Sequence, residues 1–84
     1  MTFYVYVLLS QTKRRTYVGS TFNVEERLKQ HNFGKVKSSK PYAPYTLIYK
    51  EEFLTLKEAR QKETFFKSTS GRRKIKQLIE NYSK

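Results

Sequence analysis

The sequence predicts an α+β fold: a small three-stranded antiparallel sheet flanked by helices, in the order β-β-α-β-α-α. Three features carry that prediction. They are the uninterrupted apolar run Phe3–Leu9, capping signatures at Asn23 and Thr55, and an apolar helical seam from Ile75 to Tyr82. Residues 3–9 are aromatic or aliphatic throughout, which reads as a strand covered on both faces and therefore central in its sheet. Tyr4, Tyr6 and Leu8 share one face; Phe3, Val5, Val7 and Leu9 share the other.

Ser10–Arg15 is polar and basic and reads as a hairpin loop, with Thr16–Gly19 a short returning strand. Asn23 caps a helix, and Glu26 three residues on completes a capping box. That helix runs to Asn32 or Phe33, stops at Gly34, and has Val24 and Leu28 as its apolar seam. Gly34–Pro44 holds three lysines, two serines and two prolines and reads as a loop. Tyr45–Phe53 is the third strand, its start set by Pro44. Thr55–Glu58 is a second capping box, opening a helix to about Lys67 that Ser68–Gly71 breaks. Ile75, Leu78, Ile79 and Tyr82 stand at i, i+3, i+4 and i+7, the seam of a last amphipathic helix.

A length of 84 residues is that of one small domain. Eighteen Lys and Arg stand against seven Asp and Glu, a net charge of +11. That charge points to a polyanionic partner, nucleic acid first and an anionic membrane a distant second. Without cysteine there is neither a disulfide framework nor a thiolate metal site. A single His leaves any metal to oxygen ligands. No apolar run approaches the roughly 18 residues of a membrane span. Met1–Leu9 lacks the basic region and cleavage site of a signal peptide, so a cytoplasmic location is expected.

Three places break the simple pattern. At about 100° per residue from Leu56, Glu63 falls at about 340°, Ala59 at about 300° and Phe66 at about 280°. Glu63 thus stands within an apolar stripe, where a lone carboxylate costs several kcal/mol unless paired, protonated or on a metal. The alternative is a stripe edge where it snorkels or meets one of the many cations. Arg27 and His31, four apart, share a ridge about 60° from the Val24–Leu28 seam. A fixed charge beside a titratable nitrogen suits a phosphate; a basic solvated face with a satisfied His is the plainer reading. Tyr4, Tyr6 and Tyr17 lie in the hairpin, as core residues with wet hydroxyls or as part of a site. Gly19 marks a bulge or a close approach to the backbone.

These breaks coincide in one family. The chain resembles the GIY-YIG nuclease superfamily, in particular small stand-alone members similar to the amino-terminal domain of the excision-repair nuclease subunit. Tyr4-Val5-Tyr6 looks like the first motif, with Tyr4 where Gly is usual, and Tyr17-Val18-Gly19 like the second. Glu26-Arg27-Leu28-Lys29-Gln30-His31-Asn32 is similar to the family's Arg helix, and Glu63 resembles its metal-binding acid. Ser20 and Thr21 stand where many members carry a lysine. The resemblance covers nearly the whole chain and implies one nuclease domain over residues 1–84. It implies hydrolysis of phosphodiester bonds, with one divalent metal, Mg or Mn, held by Glu63. It further implies that Arg27 neutralises charge on the phosphoryl oxygens, and that Tyr6 and Tyr17 flank the attacking water. Tyr6 is then the expected base, and His31 orients a group or relays a proton.

The basic residues form clusters. Lys13, Arg14 and Arg15 stand at the hairpin tip; Lys35, Lys37 and Lys40 line the long loop beside Tyr42; Arg72, Arg73, Lys74 and Lys76 open the last helix. Such clusters suit phosphate tracking, with Tyr42 as a stacking platform. The expected partner is nucleic acid, DNA favoured, and no membrane. Base or structure preference is expected from the loops, a homodimer or a protein partner. A non-catalytic binding module of the same fold, or a small basic ribonucleoprotein scaffold, would share the cations but have no use for Glu63.

Overall fold

The computed structural model describes residues 2–82; Met1, Ser83 and Lys84 lie outside the described residues. The elements are β1 (Phe3–Ser10), β2 (Thr16–Thr21), α1 (Val24–Asn32), β3 (Tyr45–Phe53), α2 (Leu56–Phe66) and α3 (Thr69–Tyr82). The sheet is antiparallel throughout, in the order β2-β1-β3. The α+β class and the element order are those the sequence predicts.

The all-apolar run of β1 is explained by its place, since it is paired on both edges and covered on both faces. Val5 and Val7 pack with Ala59 of α2 and Phe66 and Ile75, closing one core. Tyr6 and Leu8 on the opposite face pack with Val24 of α1 and Tyr45. In β3 the pairing shifts by one residue between Val7 and Leu8, whose partners are Tyr49 and Leu47. Ile48 is the extra residue of that bulge. It joins Tyr49 in the first core, while Leu47 belongs to the second.

The helix ends show how closely local chemistry is obeyed. The Asn23 side chain accepts from the Glu26 N–H at 3.1 Å, but the box is completed differently: the Asn23 N–H donates to the Thr21 hydroxyl at 3.2 Å. Gly34, at φ 74°, closes α1 with the paired bonds Lys35 N–H to Gln30 O, 2.9 Å, and Gly34 N–H to His31 O, 3.2 Å. Thr55 caps α2 by accepting from the Glu58 N–H at 3.1 Å.

Three boundaries differ from expectation. β2 continues past Gly19 to Thr21, because Ser20 and Thr21 still pair with Val5 and Tyr4 and an edge strand tolerates their polar side chains. The long loop contains a 3₁₀ turn at Lys40–Tyr42. The α2–α3 break is only Lys67–Ser68: Ser68 caps α3, its hydroxyl accepting from the Gly71 N–H at 3.2 Å. Gly71 is therefore inside a helix, and Arg72 and Arg73 follow its opening rather than form it. A Cβ on Gly71 would lie 1.9 Å from Phe65 O and 2.4 Å from Phe66 Cα. The glycine is there for close backbone approach between α2 and α3.

Candidate active site

The site is organised around the missing side chain of Gly19. Gly19 stands opposite Tyr6 in the β1–β2 ladder. A Cβ there would lie 2.5 Å from the Tyr6 hydroxyl oxygen, 2.7 Å from its Cζ and 3.2 Å from Tyr17 Cε1. The Tyr6 ring therefore lies directly on β2, only 1% exposed, and stacks on Tyr17 with centroids 6.3 Å apart. His31, from the last turn of α1, is fully buried, its ring 4.4 Å from that of Tyr17.

A chain of hydrogen bonds fixes the proton arrangement. Tyr6 Oη and His31 Nε2 are 3.1 Å apart, and His31 Nδ1 and Ser39 Oγ 2.7 Å. The Ser39 hydroxyl also meets Val36 O at 3.2 Å. Since a carbonyl only accepts, the arrangement that uses every contact has Ser39 donating to Val36 O and accepting from Nδ1–H. His31 Nε2 is then the acceptor of the Tyr6 hydroxyl proton. Tyr45 Oη donates to Ser39 O at 3.1 Å, tying the same loop residue to β3.

Arg27 lies one turn before His31, with its Nη1 donating to Gln30 Oε1 at 2.8 Å. The Tyr6 hydroxyl, with Tyr17 adding to it, pushes the Arg27 pKa above its ordinary value. Burial pushes Tyr6 up; Arg27 acts against this, and Tyr17 and Glu63 add to it. Burial, reinforced by the Arg27 charge, pushes His31 down to about 4. At neutral pH the cluster therefore holds a protonated Tyr6, a neutral imidazole and one fixed cation.

Glu63 approaches from the other face. β2 is an edge strand, so Tyr17 and Gly19 face α1 while Val18 and Ser20 face α2, and both sets reach the free edge. The Ser20 hydroxyl donates to Glu63 Oε1 at 3.0 Å, and Lys67 Nζ lies 3.3 Å from Oε2. The Glu63 side chain is 25% exposed. Helix arithmetic puts it within the stripe, but the structure has the alternative, a partly exposed stripe edge, and the cost of a stranded charge is absent because Ser20 and Lys67 partner it. The stripe is also open at this end, where Leu56 is 39% exposed.

Three described residues of this site carry no sequence signal of their own: Ser39, Ser20 and Lys67. Ser39 looks like any polar loop residue, yet is 1% exposed. Ser20 is legible only as a departure from a family lysine. Lys67 is one i, i+4 spacing from Glu63, a pattern common on any helix. Tyr4, by contrast, stands outside the cluster, its hydroxyl donating to Glu52 Oε1 at 3.3 Å.

Part of the basic surface converges on the site. Arg14, Arg15, Arg72 and Lys76 line one groove with Leu9, Thr16, Ile75 and Ile79. Through Thr16, Arg72 and Ile75 it continues into a second groove that holds Tyr17 and Lys67. Arg15 lies 4.8 Å over the Tyr42 ring, so a cation already covers one face of the expected stacking platform. Lys13, Arg73, Lys35, Lys37 and Lys40 are exposed. The Lys40 stem crosses Gly34, its Cγ 3.2 Å from where a Cβ would stand. Lys35, Lys37 and Lys40 sit on the loop whose underside carries Ser39.

Two tyrosines and an Arg-His helix thus gather at a glycine on an edge strand, with an acid from a later helix bonded to the next residue from the opposite face. Residues 2–76 match the GIY-YIG catalytic domain, and the chain belongs to that nuclease family. It is 42% identical to a UPF0213 protein of Bacillus licheniformis over 92% of this chain and 79% of the relative. It is 37% identical to a UPF0213 protein of Staphylococcus haemolyticus over 92% and 94%. The solution NMR structure of the UPF0213 protein BH0048 from Bacillus halodurans superposes with a TM-score of 0.56 at 34% identity. That likeness covers 95% of this chain and 84% of the other. No described helix is long and apolar enough to cross a membrane.

Proposed function

We propose that the chain is a divalent-metal-dependent endonuclease that hydrolyses phosphodiester bonds in nucleic acid, with DNA the favoured substrate. The observation that carries this reading is the Tyr6–His31–Tyr17 cluster held at Gly19, with Arg27 one turn before His31, while Glu63 reaches the same strand edge from the opposite face. A binding module needs the cations but not that carboxylate, which repels phosphate unless a metal intervenes.

The donor set fits a hard cation of the magnesium type. No group of three His, Cys, Asp or Glu gathers among the described residues. One carboxylate, with substrate phosphate oxygens and water completing the shell, is the usual arrangement for such an ion. The Lys67 contact is an i, i+4 pair with the lysine side chain 62% exposed, a contact that is weak and easily exchanged. Glu63 would hold the metal, which when bound supplies Lewis-acid polarisation of the phosphate and neutralises charge on the leaving oxygen.

The remaining work falls to the chain itself. Arg27 binds the phosphoryl oxygens as their charge grows. Tyr17, half-buried on the edge strand, orients the attacking water. Tyr6 suits the base's part less well, since its hydroxyl is sealed and burial raises its pKa. Its place is behind Arg27, where Tyr6, His31 and Ser39 hold the guanidinium and tyrosine geometry. The test is plasmid nicking with magnesium, manganese or EDTA. Metal-dependent cutting lost in Glu63→Gln is expected. Equal cutting by Glu63→Gln, or none by the parent with either metal, overturns the reading.

A further inference from the structure

Where the chain passes from β2 into α1, Phe22 is left 64% exposed. It is one wall of a cleft that includes Phe3 and the exposed Leu56 on one side, and Glu26, Arg27 and Gln30 on the other. We infer that this cleft binds the nucleobase adjoining the scissile phosphate and gives the enzyme a preference for guanine there. The inference rests on the nuclease reading, whose substrate it specifies further.

Arg27 links the two places. It belongs to the tyrosine cluster and also lines the cleft. A strand with a phosphate on Arg27 therefore has a neighbouring base within reach of Phe22. The cleft has the composition such a base needs. Phe22, Phe3 and Leu56 offer apolar area to its faces, and aromatic stacking is tolerant of base identity. The edge is met by polar groups of α1. Gln30 Oε1 is engaged by Arg27 Nη1 at 2.8 Å, which leaves the Gln30 amide hydrogens as donors. Glu26 offers a carboxylate, which can only accept. Guanine presents two adjacent N–H donors and a carbonyl on one edge, so it suits an acceptor carboxylate beside a donor amide. A second protein copy is a poorer occupant, because the cleft is contiguous with the Arg27 cation on a chain of net charge +11.

The experiment separates this inference from the nuclease reading by measuring binding in EDTA, where no metal is present. DNA tetranucleotides with G, A, C or T at one position are titrated into ¹⁵N-labelled parent, Phe22→Ala and Glu26→Gln. Phe22 and Glu26 are exposed, so both variants keep the core. The parent is expected to favour the guanine oligonucleotide, with amide shifts centred on Phe22, Glu26 and Gln30. Phe22→Ala should weaken all four by about tenfold. Glu26→Gln should erase the guanine preference. Parent-like affinities in Phe22→Ala, or shifts elsewhere on the surface, overturn the inference even where the protein cuts. A change of sedimentation in Phe22→Ala with unchanged oligonucleotide affinity also overturns it, making the cleft a contact between copies. Binding centred on Phe22 in a protein that never cuts would sustain the cleft and sink the nuclease.

Discussion

Protonation of His31 is the most direct test of the buried cluster. The side chain is fully buried. Its ring is faced by Tyr6 and Tyr17 from the first two strands, Tyr45 from the third, Ser39 from the loop and Arg27 from its own helix. None of these is a carboxylate. A proton would place a second positive charge near Arg27 in a site water does not reach, and the pKa falls from 6.5 to about 4. Because the folded value lies below the unfolded one, the stability concerned is fully present above the unfolded pKa. It is lost as pH falls through this window, where the unfolded chain takes up a proton that the native state refuses. The drop corresponds to about 3 kcal/mol, a large share of the stability of so small a domain. The sequence has one His, so a single imidazole Hε1 resonance reports it. That resonance should titrate near the depressed value. Urea unfolding of the parent and of His31→Gln, followed over the same pH range, gives the energetic counterpart. The difference between the two cancels the seven carboxylates and the growing net charge. Their stability difference should shrink by about 3 kcal/mol on acidification. An Hε1 titration near 6.5 in the folded protein, or a difference that stays flat, refutes the reasoning.

Four further outcomes are expected. Gly19→Ala forces a Cβ to within 2.5 Å of a sealed Tyr6 hydroxyl. It should cost about 1–3 kcal/mol in thermal unfolding and reduce cutting about 100-fold by displacing the cluster. Ser39→Ala strips His31 Nδ1–H of its acceptor and should cost about 1–3 kcal/mol, which Ser39→Thr largely restores; equal unfolding midpoints for all three proteins would contradict the assigned bond. Arg27→Lys keeps the charge but not the planar fork, so single-turnover rate should fall steeply while affinity holds within a few-fold. Replacing Lys35, Lys37 and Lys40 with Ala should weaken nucleic-acid binding and flatten its dependence on log salt by about 0.7–0.9 for each phosphate no longer neutralised; an unchanged slope would take that loop out of the interface.

What is legible in the sequence follows from local rules, and what is hidden follows from geometry between elements. β1 can be placed at the centre because a strand apolar on both faces has no other home. Gly71 reads as a breaker because Ser-Thr-Ser-Gly suits a break as well as a cap followed by a first turn. The close passage of α2 decides between them, and no local pattern encodes it. Ser39 is invisible for a related reason: its burial comes from a histidine on another element. For Glu63 the helical wheel yields the correct side but not the depth, since a wheel knows nothing of where a stripe opens. The bundle of Tyr6, Tyr17, Arg27, His31 and Glu63 is legible only as an ordered set of motifs. In the structure Tyr6, Tyr17 and His31 pack together with Arg27 one turn before His31, Glu63 reaches the edge of β2 through Ser20, and the Tyr4 hydroxyl turns to Glu52.

Strand order also explains why two tyrosines in similar motifs have different prospects. Tyr6 stands in the middle of the central strand and is only 1% exposed, so it can brace the site but cannot meet a polymer. A residue on β2 stands at the sheet edge, where helices on opposite faces both reach it. On the proposed reading, contact with a large polyanion is built on β2 at Tyr17, with Arg27 and Glu63 closing in from α1 and α2. The brace must still pass beneath that strand to reach them. Gly19 is the point of passage, because only a residue without a side chain lets the Tyr6 hydroxyl reach across to Arg27 and His31. The burial that raises the Tyr6 pKa thus follows from its place on the central strand, and the burial that lowers that of His31 from the packing of α1 against Tyr6, Tyr17 and Tyr45.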